Sequence, residues 1–412
     1  MAYPQVVVTG MGAVTPIGIG CDAFWKSLAN GENGVAPITI FDVSRYPVKL
    51  AAEVKNFDPA EFMPLKRVDR AGRCTQFAIA AMNEAVKQAG LDMSRERPER
   101  VGVIIATTGM VGELYYHSEV LRQRGPMRID PLLAAKVGAN MVPVQMAMVL
   151  GAKGPNSSIN SACATGSDAI GIALSHLRLG HADVIIVGGA ETVIDPISVA
   201  TVGLLGALSR QTDPAKASRP FDLERDGFIY GEGAGILVLE TYEHAMGRGA
   251  PLLAEVAGAG WSYDATNETA PDAEGESFAI KAAIGDADIS LQDIDYVNAH
   301  GTSTRLNDKT ETAAIRMVLG RHAYNIPISS NKSMIGHLAC AAGSIEAVAS
   351  VLTLRYGMVP PTINYRTPDP ECDLDYVPNV ARKMEVRTIL SNSFGMGGQN
   401  CCLILRKVEK NK

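Results

Sequence analysis

Short uninterrupted apolar runs punctuate the chain at Val6 to Val8, Val101 to Ile105, Val184 to Val187, Ile236 to Leu239 and Leu403 to Leu405. Runs of this length without alternation are the pattern of strands buried on both faces. Between them lie helical stretches rich in small and apolar residues: 74–90 (CTQFAIAAMNEAVKQAG), 166–180 and 343–357, each ending at or near a glycine suited to a helix C-terminus. Strands alternating with helices predict an α/β protein built in layers.

Two of these stretches resemble each other. GSDAIGIALSHLRLG (166–180) and GSIEAVASVLTLRYG (343–357) align without gaps at Gly, Ser, Leu, Arg and Gly, and VVVTGMGAV near the start echoes AEVAGAGWS at 254–262. The pairs suggest a duplicated α/β unit. Its boundary falls near residue 250, giving halves 1–250 and 251–412, and no Gly/Ser-rich or Pro-rich linker marks the join. The halves are therefore expected to pack together.

Composition narrows the class without naming it. At 412 residues, 47% hydrophobic and 20% charged, the chain has material for a large core. A formal net charge of -6 and the absence of a Lys/Arg-rich tract argue against nucleic acid. The start, MAYPQVVVTGMG, lacks a basic segment followed by an apolar one, and no later apolar run reaches the roughly 20 residues of a membrane span. A cytoplasmic protein with no membrane insertion is the expectation. Seven cysteines, at 21, 74, 163, 340, 372, 401 and 402, have no paired spacing and read as reduced thiols. The seven histidines are scattered, so no catalytic metal is expected.

Four segments carry candidate chemistry. In SINSACATGSDAIG (158–171), Cys163 follows a strand-like segment and precedes a helix of small residues. A thiol placed there feels the positive helix end and free backbone N–H groups, which favour the thiolate and can bind an oxyanion. A cysteine that simply packs in the core fits the same letters. NAHGTST (298–304) delivers His300 at a strand end, where ligands bind in α/β sheets. NKSMIGH (331–337) presents Lys332 and His337 before another helix of small residues, and each histidine alone could be structural. SNSFGMGGQN (391–400) sets Phe394 before Gly395, Met396, Gly397 and Gly398, a loop able to bring backbone N–H groups close to a substrate or simply to turn before the last strand.

In this order the motifs resemble those of the β-ketoacyl-carrier protein synthases of the thiolase superfamily. The resemblance runs from VVVTGMGAVTPIG (6–18) through SRPFDLERDGFIYGEGAG (218–235) to FGMGG. It implies a duplicated thiolase-like fold layered α-β-α-β-α. It also implies a decarboxylative Claisen condensation that lengthens a cysteine-bound acyl chain with malonyl-acyl carrier protein. Cys163 corresponds to the acyl-accepting nucleophile, and His300 and His337 to the pair of the elongating enzymes. Lys332 matches the lysine that fixes the second histidine, with Glu346 as its ion partner. Thr302 and Thr304 match positions that bind the phosphopantetheine arm. Phe394 matches the gating residue whose N–H joins that of Cys163 in the oxyanion hole. No cofactor is implied beyond the carrier protein's own arm. The partners implied are acyl carrier protein and a second copy of the chain in a homodimer.

The resemblance has departures. Arg305 stands where fatty-acid enzymes usually carry Pro, DATNET (264–269) replaces a DAYHMT-like stretch, and TPDPECDLDYVP (367–378) suits two groups of relatives. These keep open the catalytic ketosynthase subunit of a type II polyketide system, working as a heterodimer with a chain-length factor. Primer length and saturation stay open with them. A thiolase would carry a second catalytic cysteine in place of the NKSMIGH histidine, and a non-catalytic scaffold would lose the Cys–His–His set.

Overall fold

The computed structural model describes residues 3–408, so Met1 and Ala2 of the start read above lie outside the described residues. The first apolar run extends into β1 (Val6–Thr15), buried at every position. Four further strands on the main path of the large sheet come from the first half: β2 (Val101–Ala106), β3 (Asn156–Ile159), β4 (Val184–Thr192) and β5 (Glu232–Thr241). The second half supplies β6 (Ala254–Tyr263), β7 (Tyr296–Asn298), β8 (Ile328–Ser329), β9 (Thr388–Phe394) and β10 (Gln399–Arg406).

Across the first half the strands run β3-β2-β4-β5-β1, and across the second β8-β7-β9-β10-β6, so adding five to each label of one gives the other. Directions repeat as well. β2 lies parallel to β3 and β4, with β5 antiparallel to β4 and β1. In the same way β7 lies parallel to β8 and β9, with β10 antiparallel to β9 and β6. The half-sheets join where Val7 and Val8 of β1 pair with Glu255 and Ala254 of β6. The protein is thus a duplicated α/β unit.

Helices complete the layers. α1 (Arg73–Ala89) covers β1 and β5 on one outside face. The middle layer is α2 (Thr165–Arg178) against α5 (Ala342–Tyr356), and the other outside face is α3 (Ala273–Asp286) with α4 (Arg305–Leu319). Their order is α-β-α-β-α, that of the thiolase-like fold. The echo of VVVTGMGAV in AEVAGAGWS has a packing cause. A Cβ on Gly12 would lie 1.9 Å from the Ala81 carbonyl oxygen of α1, and one on Gly260 would lie 2.1 Å from the Ala283 nitrogen of α3. In each half a helix presses onto the first strand where only glycine leaves room.

In α5 every residue from Ala342 to Leu354 is buried, because sheets lie on both sides of the middle layer, which accounts for its small and apolar composition. None of the helices among the described residues is long and apolar enough to cross a membrane.

Candidate active site

Cys163 lies two residues before α2, in a loop held from several sides. Ala162 takes φ 50°, a left-handed conformation unusual for a residue with a Cβ. Thr165 Oγ1 accepts from the Ser161 N–H at 2.9 Å, Asn160 Oδ1 accepts from the Ala162 N–H at 3.1 Å, and Ser161 Oγ donates to Asp168 at 2.8 Å. Six of the seven cysteines are buried and Cys163 alone is partly exposed. A helix N-terminus by itself lowers a thiol pKa. The structure gives the opposite: surrounding protein raises it by desolvation, and the Met396 N–H and the charge of Lys332 reverse that only in part. Desolvation by the surrounding protein outweighs the helix end even though Cys163 lines a cavity. Cys372 is pushed up to about 12 by burial, and burial also raises Cys340, Cys401 and Cys402 strongly, so they are poor thiolates.

The cavity measures about 540 Å³ and brings together Cys163, His300, His337, Thr302, Thr304 and the loop Phe394 to Gly398. The two imidazoles stand edge to face with centroids 5.3 Å apart, and Phe394 lies 6.0 Å from His300. Their tautomers follow from their neighbours. The Ala339 N–H donates to His337 Nδ1 at 3.2 Å, so the proton of His337 sits on Nε2, which is buried without a protein partner. Lys332 Nζ, a donor only, lies 3.4 Å from His300 Nδ1 and places that proton on Nε2 as well. Burial first, and then the Lys332 charge, hold both imidazoles neutral, well below their ordinary pKa.

Lys332 departs from its anticipated partner. It donates to the His300 carbonyl at 2.6 Å and faces the ring of that residue, so the lysine fixes the first histidine, not the second. Glu346, on α5, forms the buried ion pair with it. Burial raises Glu346 to about 7, with Lys332 opposing.

The glycine loop approaches the nucleophile directly. A Cβ on Gly395 would come within 2.8 Å of the Ser161 carbonyl oxygen, and Gly397 and Gly398 take φ 94° and 80°. Asp264, the first residue of DATNET, ties this loop down: its N–H donates to Gly398 O at 2.9 Å and its carboxylate accepts from Asn400 at 2.6 Å. Thr302 and Thr304 lie with hydroxyls 3.0 Å apart, and Thr304 caps α4 by accepting from the Asn307 N–H.

Two supporting carboxylates were not anticipated. Glu311 accepts from the N–H groups of His300 and Gly301, each at 2.8 Å, and Asp308 accepts from those of Ser303 and Phe221 at 3.1 and 2.7 Å. They sit three residues apart on one face of α4, turned back under the NAHGTST loop. The spacing in RLNDKTE was the available signal. Arg305 lines the cavity, and its neighbour Arg225 is buried against Asp369 at 2.5 Å, which gives TPDPECDLDYVP a structural role. Among the described residues no cluster of three or more potential metal ligands occurs.

The description Beta-ketoacyl synthase, N-terminal domain, matches residues 4–245, and Beta-ketoacyl synthase, C-terminal domain, matches 253–366. A 3-oxoacyl-[acyl-carrier-protein] synthase 2 of Synechocystis sp. is 46% identical over 409 residues, which is 98% of each chain. The solved ishigamide ketosynthase/chain length factor superposes with a TM-score of 0.92 at 38% identity, covering 99% of this chain and 100% of that one. A type II polyketide acyl-carrier protein in complex with its ketosynthase, AntDE:AntF, gives 0.90 at 37% identity with the same coverage.

Proposed function

This chain belongs to the β-ketoacyl synthase family, and we propose that its cavity carries out the decarboxylative condensation of malonyl-acyl carrier protein with an acyl chain bound to Cys163. It is an acyltransferase of fatty-acid elongation. The observation that carries the site assignment is that Cys163, alone among the cysteines, opens on the cavity to which His300 and His337 both contribute.

In the first half-reaction the Cys163 sulfur attacks the thioester of the incoming acyl chain, and the phosphopantetheine thiol leaves with the cysteine's proton. The tetrahedral oxyanion rests on the backbone N–H groups of Cys163 and Phe394. Thr302 and Thr304 hold the arm at the cavity wall. In the second half-reaction malonyl thioester loses carbon dioxide, and the electron pair released becomes an enolate whose oxygen lies between the Nε2–H groups of His300 and His337. Neutral imidazoles suit this task because each keeps its donor proton. The enolate carbon then attacks the Cys163 thioester, a carbon–carbon bond forms and the thiolate leaves. Lys332 and Glu346 are positioning residues behind His300. No metal or redox cofactor takes part.

The carrier protein presents both substrates, the second subunit is a copy of this chain, and the enzyme works in the cytoplasm. The higher identity to the fatty-acid relative, 46% against 38% for the ketosynthase/chain length factor structure, favours this over the polyketide reading. Incubating the purified chain with acyl- and malonyl-carrier protein tests the proposal. The product is the β-ketoacyl thioester two carbons longer, and Cys163→Ala abolishes it while malonyl decarboxylation persists. Acyl label on another cysteine, with Cys163 unmodified, defeats it.

A further inference from the structure

The helix that begins beside the nucleophile ends in an unusual pair. α2 closes in a Schellman turn: the Gly180 N–H donates to Leu177 O at 3.0 Å and the His181 N–H donates to His176 O at 2.9 Å, with Gly180 at φ 71°. This motif folds the residue after the glycine back onto the one five positions earlier, a contact usually made by two apolar side chains. In HLRLGH both positions are histidine. Their Nδ1 atoms face each other at 3.2 Å, with ring centroids 5.1 Å apart.

We infer that His176 and His181 form a surface site for a borderline divalent transition ion of the Zn²⁺ class, with water completing the coordination. The spacing is right for it. Two nitrogens at ordinary zinc bond lengths and a tetrahedral angle stand roughly 3.3 Å apart, close to the distance the turn already imposes. The ion replaces the proton shared by the two rings, so little side-chain rearrangement is needed. His181 is exposed and His176 half-buried, which leaves the outer side open to water ligands.

The surroundings favour a cation on balance. The helix C-terminus carries partial negative charge. The two arginines beside the turn are each paired with a carboxylate, Arg178 with Asp286 and Arg100 with Asp183, and Arg100 also donates to the Gly180 carbonyl of the turn itself. The site lies at the far end of α2 from Cys163, a helix length of about 20 Å away. Its consequence is therefore stability of the nucleophile's helix and not chemistry in the cavity.

The test is a calorimetric titration with Zn²⁺ alone, after Cys163 has been blocked with iodoacetamide to remove the competing thiol. Saturable binding is expected at submillimolar zinc. His181→Ala and His176→Ala should each weaken it by at least about tenfold. Zinc should raise the melting temperature of the parent protein and not that of His181→Ala, whose exposed position makes misfolding a poor explanation. Equal binding by the parent protein and both variants, or no saturable binding by the parent, overturns the site.

Discussion

Lys332 Nζ donates to the carbonyl oxygen of His300 at 2.6 Å while facing the Nδ1 of the same residue at 3.4 Å. One buried ammonium thus fixes the backbone and the tautomer of His300 and adds to the burial that keeps its ring neutral.

Removing that ammonium should move the pH dependence of decarboxylation. Burial is the larger cause of the low histidine pKa values and Lys332 the next, so its loss raises both values without restoring them to normal. Activity needs the neutral rings and falls as pH drops through their pKa. In Lys332→Met combined with Glu346→Gln, which avoids stranding a buried carboxylate, the acid limb should begin at a higher pH. An unchanged limb would remove Lys332 from the control of either histidine.

The thiol of Cys163 gives a second pH signature. Because burial raises its pKa, the thiolate fraction near pH 7 is smaller than that of a free cysteine, and alkylation by iodoacetamide should keep climbing beyond the ordinary cysteine range near 8.5. The rate is read as modification of the Cys163 peptide against pH. A plateau reached below pH 8 would show that the loop's N–H groups outweigh burial after all.

Stability at low pH should depend on Glu240, far from the cavity. Burial alone would raise this carboxyl, but hydrogen bonds from Arg248, His244 and Thr9 outweigh it and bring it from 4.5 to about 2. A depressed folded value means that the stabilisation is complete above the unfolded pKa near 4.5 and is lost as pH falls toward 2. Glu240→Gln should cost about 3 kcal/mol in urea unfolding at pH 7, and the difference from the parent protein should shrink across that acid window. A difference independent of pH would point to packing instead of charge.

What was legible in the sequence follows a physical line. Strand and helix positions were readable because continuous apolar runs and glycine ends are local, and the glycines shared by VVVTGMGAV and AEVAGAGWS reported a close helix that both halves possess. Cys163, His300 and Phe394 stood out because each sits in a short stretch of small or polar residues at or just after a strand end, and His337 because it follows a short turn of helix, Lys332–Ile335, ahead of α5. The direction of the Cys163 shift was not legible, since it depends on the protein wall around the thiol and not on the helix after it. Glu311 and Asp308 were missed because their role is to satisfy N–H groups of a loop that the sequence places upstream of them. Lys332 reaches His300 and not His337 because β7 and β8 lie side by side, a neighbourhood visible only once the sheet order is known.

The last expectation concerns the second subunit. The helix Val111–Arg124 buries none of its residues and exposes Val111, Leu114, Tyr115, Tyr116 and Leu121, with Met127 exposed in the short turn that follows it. An apolar surface of that kind calls for a cover. Strand β3 is an outer edge of the sheet, and among the described residues only β2 pairs with it. Its outer N–H and C=O groups are therefore free to take another strand. Two copies related by a twofold axis satisfy both needs, since each presents the same edge and the same apolar helix to the other. Sedimentation equilibrium on the purified chain should give a dimer, and Ser158→Pro, which removes an edge donor, should weaken it. The dimer alone should elongate acyl-carrier protein. A chain that is acylated on Cys163 but extends its substrate only after a homologous, cysteine-lacking subunit is added would replace the homodimer with a heterodimer, and the fatty-acid reading with the polyketide one.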